Sequence, residues 1–328
     1  MQSDVFKIIE RNYEYKRNLA NKKASVLKEE TYCKFPRLQE IDNLISKCGI
    51  EATKATITNS ANKENILADL EQKIATLKKE KNELLSSINV SLAPKYECEK
   101  CNDSGYELAS NGTKMCSCFK QELINEAYNK SNLYRLQEDK FSSFKSSLFS
   151  DDVNIQKYGA AISPRENIEK IKNLSESFIK NFNDPNQKNL LFTGTPGIGK
   201  TFLSGCIANE LLNSGYTVLY QTAPVLLDCI FEYKYNTKDN SKELYDNLFN
   251  VNLLIIDDLG TENLTSARFS ELFTIINARL LNPKTKTIIS TNLSLENLAQ
   301  NYDDRILSRI IGNFDICKFF GEDLRLKR

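Results

Sequence analysis

The stretch "TGTPGIGKTF", residues 193–202, decides the fold of this chain. Gly194 is followed by four residues and then by Gly199, Lys200 and Thr201, which is the phosphate-loop pattern G-x-x-x-x-G-K-[ST]. The apolar run "KNLLF" before it predicts a strand. The segment "TFLSGCIANELLNSG" after it predicts a helix, because its apolar residues recur at helical spacing. The glycines therefore join a strand to a helix N-terminus.

The residue types of this loop suit an anion. Glycine allows the backbone to approach oxygen atoms closely, and N–H groups at a helix N-terminus attract negative charge. Lys200 adds a positive charge near the β- and γ-phosphates of a nucleotide, and the Thr201 hydroxyl can ligate Mg²⁺. An ordinary glycine-rich turn is the alternative, but the strand and the helix on its flanks favour nucleotide binding. The predicted binding segment consists of Gly194, Thr195, Pro196, Gly197, Ile198, Gly199, Lys200, Thr201 and Phe202.

The composition indicates two or three domains without a global charge bias. The 328 residues include 44 lysines and arginines and 43 aspartates and glutamates, so no basic excess points to nucleic acid. Histidine is absent, which excludes Ser-His hydrolysis, Cys-His catalysis and histidine metal sites. The sequence has no run of eighteen apolar residues, and its charged beginning does not resemble a signal peptide. We therefore predict a cytoplasmic protein that does not associate with a membrane.

Four of the nine cysteines are clustered in "CEKCNDSGYELASNGTKMCSC", residues 98–118. Cys98 and Cys101 form a C-x-x-C pair, Cys116 and Cys118 form a C-x-C pair, and Asn111-Gly112 between them predicts a tight hairpin turn. Such a hairpin would bring the pairs together, and four thiolates make a closed, structural Zn²⁺ site. Two disulfides or four free thiols are the alternatives. A reducing compartment disfavours the first, and the clustering disfavours the second.

The first third of the chain has a helical pattern. Residues 64–90 place apolar side chains at alternating spacings of three and four, except where Lys81 interrupts the stripe. An antiparallel hairpin within the same domain, such as one with residues 1–24, is favoured over a dimer seam because the stripe is short. The predicted domains are a helical partner-binding region at 1–93, a zinc module at 94–120, a linker at 121–162 and a nucleotide-binding domain at 163–328.

The second half of the chain alternates strand and helix patterns, which predicts an α/β domain. The strand pattern "VNLLIIDDLG" ends in two acids. Asp257 lies at the carboxyl end of this strand, where ligands bind in parallel sheets, and is predicted to hold Mg²⁺. The neighbouring Asp258 can polarise an attacking water. Asn292 follows the strand pattern "TIIST" and could orient water or contact the γ-phosphate, although a turn or helix cap is the alternative.

These segments resemble those of the AAA+ ATPases: "GTPGIGKT" is similar to Walker A, "LLIIDD" to Walker B and "STN" to sensor 1. The segment "YDDRILSRIIGNFDICKFFGEDLRLKR" resembles the end of DnaC/DnaI-type bacterial helicase loaders and of the related IstB-type transposition helper ATPases. The resemblance implies a three-layer α/β sandwich with a parallel sheet and little or no C-terminal lid. It also implies ATP hydrolysis with Mg²⁺, Arg309 as a finger into a neighbouring subunit's ATP, and Arg325 as sensor 2. Many AAA+ proteins carry Glu at the position of Asp258, a departure that bears on rate rather than binding.

The order of helical region, cysteine module and short AAA+ domain resembles the DnaI-like loaders. It implies a loader in replication initiation whose partners are a DnaB-type helicase, single-stranded DNA and further copies of itself at the ATP sites. An IstB-like helper of DNA transposition is the alternative, which the cysteine module disfavours. Residues 224–250 mix aromatic and basic side chains and form a candidate DNA-facing segment, with an ordinary helix and loop as the alternative.

Overall fold

The computed structural model describes residues 2–57, 63–109, 112–126, 138–235, 241–263 and 265–327. Side chains are described within these ranges except at 2–5, 63, 232–235, 241–244 and 327. The chain divides into two compact units, Glu10–Glu107 and Met1–Ile9 with Leu108–Arg328. No helix within the described ranges is both long and apolar enough to cross a membrane.

The unit Glu10–Glu107 is built mainly from helices. Its elements are most of α1 (Gln2–Lys34), all of α2 (Pro36–Ile57) and α3 (Lys63–Ser87), and the beginning of β1 (Tyr106–Ala109). The start of α2 meets the end of α3, because Arg37 Nε lies 2.8 Å from a carboxylate oxygen of Glu80. The two helices are therefore antiparallel. The hairpin predicted from the sequence is present, but the main partner of α3 is α2 rather than residues 1–24.

The lysine that interrupts the apolar stripe of α3 has a partner on α2. Lys81 Nζ lies 2.5 Å from Asp42 Oδ1, and the Tyr32 hydroxyl donates to the other oxygen of the same carboxylate. Lys28 on α1 lies 3.4 Å from that oxygen as well. Lys81 can be half-buried because the Asp42 carboxylate balances its charge. The lysine that interrupts the apolar pattern thus makes a contact between α3 and α2.

The second unit contains the α/β domain. Its elements after β1 are β2 (Gly112–Met115), α4 (Ser117–Ile124), α5 (Ile155–Tyr158), α6 (Pro164–Lys180), β3 (Asn189–Thr193), α7 (Lys200–Asn213), β4 (Val218–Thr222), α8 (Ala223–Tyr235), α9 (Ser241–Asn250), β5 (Leu253–Leu259), α10 (Ser266–Leu281), β6 (Lys286–Thr291), α11 (Leu295–Asn301), α12 (Asp304–Asn313) and β7 (Phe314–Lys318). Short 3₁₀ turns occur at Phe141–Ser143, Ser146–Leu148 and Leu324–Lys327.

The sheet has five strands in the order β4-β5-β6-β3-β7, and every pair is parallel. Side chains of β5 alternate between two apolar clusters, with Leu254 and Ile256 in one and Leu253 and Ile255 in the other. Both faces of the sheet are therefore covered, which is why the strands are continuously apolar in sequence. The predicted three-layer α/β architecture with a helical N-terminal region is confirmed.

The edge strand β4 is paired by a side chain. Gln121 on α4 accepts a hydrogen bond from the Val218 backbone N–H at 2.7 Å and donates to the Val218 carbonyl at 2.9 Å. One amide thus fills both backbone positions that a further strand would occupy at this residue. Phe119 and Ile124 on the same helix are buried, which fixes α4 within this unit. Helix α4 crosses the predicted boundary between the zinc module 94–120 and the linker 121–162, and Phe149 within that linker belongs to the core of the domain.

A buried arginine ties together the amino ends of β5 and β6. Arg279 on α10 is 2% exposed and donates to the carbonyl oxygens of Leu248 and Lys286 at 2.8 and 2.7 Å. It also donates to Val251 O and to Thr287 Oγ1. Burial lowers the pKa of Arg279 from 12.5 to about 9. These bonds join the end of α9, the start of β5 and the start of β6.

Candidate nucleotide-binding site

The predicted phosphate loop connects β3 to α7 and has the backbone of an anion-binding turn. Gly194, Gly197 and Gly199 have φ angles of 142°, 77° and 93°, which favour glycine. Helices α6, α10, α11 and α12 begin with a side chain that accepts a backbone N–H of the first turn. Helix α7 begins after Gly199 without such a side-chain cap. The cap residue Gly199 offers no side-chain acceptor to the first N–H groups of α7, so an anion bound in the loop can accept from them.

Lys200 is the first residue of α7 and is 5% exposed. Its Nζ donates to the carbonyl oxygens of Gly194 at 2.6 Å and Thr195 at 2.8 Å, and to Asn292 Oδ1 at 2.8 Å. Burial lowers the pKa of Lys200 to about 8, against the opposing effect of Asp257 and Asp258. The structure thus brings together three predicted site groups, the loop, the acids and Asn292, around one cation.

An irregularity in β5 orients the two acids. Ile256 is paired with Ile289 and Leu259 with Thr291, so β5 has one more residue than β6 in this interval. Asp258 takes a φ of 53°, in the left-handed region, and its backbone N–H donates to Asp257 Oδ1 at 3.0 Å. Asp257 is 3% exposed and Asp258 is half-buried. Bulges are known to redirect side chains beside functional sites, and here the extra residue lies at the acids.

A group that the sequence reasoning missed contacts the first acid. The Tyr220 hydroxyl, on the neighbouring strand β4, donates to Asp257 Oδ2. Tyr220 pairs with Ile255 in the strand register, two residues before Asp257 on the same face. A diagonal contact of this kind lies within reach of an aromatic side chain. Nothing local in the sequence marks Tyr220, because the contact depends on the register between two strands.

A second buried tyrosine–carboxylate pair lies after the acids. The Tyr302 hydroxyl donates to Glu262 Oε1, and the Gly260 backbone N–H donates to Glu262 Oε2 at 2.8 Å. Burial raises the pKa of Tyr302, and the bond to Glu262 adds to this effect. Sequence reasoning missed this pair as well. It ties the loop after β5 to the residue that precedes Asp303, the N-cap of α12.

The two predicted arginines lie in different surroundings. Arg309 is exposed on α12, which buries Ile306 and Ile310 on its other side. Arg325 is exposed too, and its guanidinium lies 2.8 Å from Asp323 Oδ2. This ion pair lowers the pKa of Asp323.

The segment that carries Arg325 is bound to the phosphate loop. The Leu324 backbone N–H donates to Gly197 O at 2.9 Å. A Cβ atom on Gly197 would lie 1.9 Å from the Asp323 carboxylate. Arg325 therefore lies beside the loop, whereas Arg309 makes no ion pair in the part of the chain that the structure describes.

The remaining residues of the predicted segment differ in exposure. Thr195 and Pro196 are exposed, whereas Thr201 and Phe202 are half-buried on the first turn of α7. Ile198 points into the core and is 1% exposed. The loop therefore offers its backbone and the Thr201 hydroxyl rather than an apolar surface.

The four clustered cysteines are close together in the structure. Their Sγ atoms all lie within 4.8 Å of one another. Strands β1 and β2 pair in a two-stranded sheet between the two cysteine pairs. Residues 110 and 111 of the predicted turn lie outside the described part of the chain. A tetrahedral site with Zn–S distances of about 2.3 Å separates the sulfurs by about 3.8 Å, so the four thiols fit zinc.

The fold and this edge of the sheet define a P-loop nucleotide-binding protein of the AAA+ class. The family model described as "IstB-like ATP binding protein" matches residues 117–328. This is more than half of the chain, and the chain belongs to this family. Membership supports ATP hydrolysis as a general capacity of the domain.

Proteins similar to this chain include replicative helicase loaders. The replicative helicase loader DnaC of Escherichia coli (strain K12) is 30% identical over 143 residues, which cover 42% of this chain and 56% of that protein. The replicative helicase loader DnaI of Bacillus subtilis (strain 168) is 28% identical over 127 residues, 38% of this chain and 40% of that protein. The chain spans about half the length of the curated relatives it matches. The crystal structure of the DnaC helicase loader is 22% identical, with a TM-score of 0.45 over 57% of this chain and 99% of that chain.

Proposed function

We propose that this chain is an ATP-dependent loader of a replicative DnaB-type helicase, acting in the cytoplasm at the initiation of DNA replication. The observation that supports this most is the meeting of Lys200 and Asn292 at 2.8 Å, beside buried Asp257, in a relative of two replicative helicase loaders. The predicted roles of the site residues follow from their chemistry at this edge of the sheet.

ATP bound with Mg²⁺ supplies a phosphoryl group for transfer to water. Lys200 donates to phosphate oxygens in place of the carbonyl oxygens of Gly194 and Thr195 that it now contacts. The Thr201 hydroxyl and the Asp257 carboxylate are the hard oxygen donors that suit Mg²⁺. Asp258 polarises the attacking water, and Asn292 orients it. Asp258 is shorter by one methylene than Glu, which affects the rate of this step more than binding.

Arg309 and Arg325 supply positive charge from elements other than the strand ends that carry the remaining site residues. Arg309 is exposed on α12, so it can enter the site of a neighbouring copy and act as a finger. Arg325 acts on the nucleotide of its own subunit, from the segment bound to Gly197. This division of roles requires self-assembly through the ATP sites.

The cysteine cluster holds a structural zinc ion. Cys98, Cys101, Cys116 and Cys118 provide four soft ligands and no open position, which is typical of structural rather than catalytic sites. The chain has no histidine to replace any of them.

Elemental analysis of the full chain, purified without added zinc, should give one zinc per chain. Cys116→Ser should lose the metal and the fold of the hairpin, because structural zinc contributes about 10–16 kcal/mol in peptides. The matched control is Cys33→Ser, which changes an exposed cysteine outside the cluster and should keep the zinc. A folded, metal-free wild-type hairpin would contradict the assignment.

Helicase loading is tested with the full chain, a DnaB-type helicase and circular single-stranded DNA, which offers no free end. We expect the helicase to become bound to the circle only when the chain and ATP are both present. Lys200→Ala should bind the helicase but fail to load it. Absence of any complex with the helicase would contradict the proposal.

The family name favours one second candidate, an ATPase helper of DNA transposition. That activity would appear in the same experiment as ATP-dependent binding to duplex DNA without helicase binding. The candidate DNA-facing segment 224–250 does not decide between them, because the side chains at 232–244 lie outside the described part of the structure.

A further inference from the structure

Tyr220 is a buried tyrosine between Leu219 and Gln221 on β4, and its hydroxyl contacts an acid of the site. The residue is 4% exposed and lies in the apolar cluster that also contains Val218 and Ile255. The hydroxyl donates to Asp257 Oδ2. A phenylalanine would fill the same space in the cluster, so packing alone does not account for the hydroxyl.

Both oxygens of the Asp257 carboxylate are held by the chain. Oδ2 accepts from the Tyr220 hydroxyl, and Oδ1 accepts from the Asp258 backbone N–H at 3.0 Å. An ionised carboxylate has about four lone-pair positions, so two bonds leave further positions for a metal and its waters. The two bonds come from different elements, one from the bulge in β5 and the other from β4. They therefore determine the orientation of the carboxylate.

We propose that Tyr220 is a positioning residue that holds the Asp257 carboxylate in the orientation that receives the Mg²⁺ of the bound nucleotide. This role rests on the proposed function, because it assumes that the site binds Mg²⁺ and ATP. Tyr220 acts through Asp257 and contacts neither ligand itself. Partners of metal-ligating groups commonly change metal affinity by about 10–100-fold when they are removed.

The structure contains a matched control in the Tyr302–Glu262 pair. There too a buried phenol donates to a buried carboxylate, and the carboxylate also accepts a backbone N–H. Removal of either hydroxyl leaves a carboxylate without one hydrogen bond. Only Tyr220 is bonded to the acid predicted to hold Mg²⁺, so the two variants separate positioning from general stabilisation.

The test measures binding rather than turnover. The full chain is titrated with a fluorescent ATP analogue at a series of Mg²⁺ concentrations, and the concentration that gives half of the Mg²⁺-dependent gain in affinity is determined. Tyr220→Phe should raise this concentration about tenfold. It should leave the affinity measured in EDTA within about twofold of wild type. Tyr302→Phe should leave the Mg²⁺ midpoint unchanged.

A double-mutant cycle with Asp257→Asn sharpens the result. Because Tyr220 acts through Asp257, Tyr220→Phe should have no further effect on the Mg²⁺ midpoint in that background. If the wild-type chain binds ATP but Tyr220→Phe leaves the Mg²⁺ midpoint unchanged or lowers it, the positioning role is overturned and the proposed function is not. A wild-type chain that binds no ATP overturns the proposed function, and the role of Tyr220 with it.

Discussion

Each end of strand β6 lies beside a buried cation from another element, and the acceptors of these two cations lie in different surroundings. Arg279 lies at the amino end, and its donors reach carbonyl oxygens at the ends of α9 and the starts of β5 and β6. Lys200 lies at the carboxyl end, beside Asn292, and donates to carbonyl oxygens of its own loop. Both are at most 5% exposed, and burial lowers the pKa of each.

The comparison teaches that burial and a lowered pKa do not by themselves identify a functional cation. Apart from Thr287 Oγ1, the partners of Arg279 are backbone carbonyls that the fold needs paired, because an unpaired buried carbonyl is costly. Two partners of Lys200 are carbonyls of a partly exposed turn, which phosphate oxygens can replace as acceptors, and the third is the side chain of Asn292. We therefore assign Arg279 to stability and Lys200 to ligand binding, and the two roles can be separated by experiment.

The largest effect is expected from a third cation that lies at neither end. Arg309→Ala should lower ATP hydrolysis by about 10³–10⁵-fold, because a finger stabilises charge on the phosphoryl group. ATP affinity should be retained, since the loop of the variant is intact. Turnover and analogue binding, measured with helicase and single-stranded DNA present, check both points.

A mixing experiment tests whether Arg309 acts between subunits. Arg309→Ala mixed with Lys200→Ala should recover part of the activity, because some interfaces then pair an intact loop with an intact finger. Arg305→Ala is the matched control on α12, where Arg305 is held by Asp303 and lies over the ring of Phe273. Wild-type turnover in Arg309→Ala would show that the finger is misassigned, and Arg305 would become the next candidate.

The next largest effect concerns the amino end of the sheet. Arg279→Met should lower the free energy of unfolding by about 3–5 kcal/mol, because several buried carbonyls lose their donor. ATP affinity of the folded fraction should not change. Chemical denaturation followed by circular dichroism measures the loss. Arg268→Met is the control on the same helix, since its ion pair with Asp228 is partly exposed and contributes about 0–1 kcal/mol.

Lys200→Ala should reverse this pattern. We expect ATP affinity to fall about 10²-fold, equivalent to about 3 kcal/mol, with little change in the free energy of unfolding. The control is Lys286→Ala, which removes another buried lysine at the amino end of β6, where its Nζ donates to Gln187 O at 2.7 Å. That variant should lose stability and keep ATP affinity. Unchanged ATP affinity in Lys200→Ala would contradict the phosphate-loop assignment.

The smallest effect is a dependence on pH. Because the pKa of Lys200 is about 8, roughly nine-tenths of the loops lose this charge by pH 9, and ATP affinity should fall about tenfold between pH 7 and pH 9. The unfolded chain holds this proton up to its ordinary pKa of 10.5, so the contribution of Lys200 to stability rises with pH from about 8 to 10.5. Calorimetric titration checks the first trend and denaturation the second.

Lys200→Arg is the control for the pH dependence, because an arginine has a much higher ordinary pKa than a lysine and keeps its charge across this range. Its ATP affinity should be flat between pH 7 and pH 9. An equally flat profile in the wild-type chain would show that Lys200 does not titrate near pH 8 when the ligand binds.

Local patterns account for what could be predicted from the sequence. The loop at 194–201 between a strand and a helix, and the acids at the carboxyl end of β5, are each marked by neighbouring residues, and the structure has the strand, the turn and the helix in the predicted order. Tyr220, Arg279 and Gln121 were not predictable in the same way. Each acts through a strand register or a contact between distant segments, and single side chains of these types carry no pattern of their own.

The close approach of Phe319, the residue after β7, to the phosphate loop has a consequence for mutational tolerance. A Cβ atom on Gly194 would lie 2.2 Å from the backbone oxygen of Phe319, which cannot turn aside as a side chain can. Gly197 has a φ of 77°, but the atom nearest to its missing Cβ is the end of the Asp323 side chain, which can rotate. In a library selected only for folded protein, with no demand for nucleotide, Gly194 should therefore remain nearly invariant while Gly197 drifts toward asparagine. In this chain the folded sheet therefore requires Gly194 even when no nucleotide is bound.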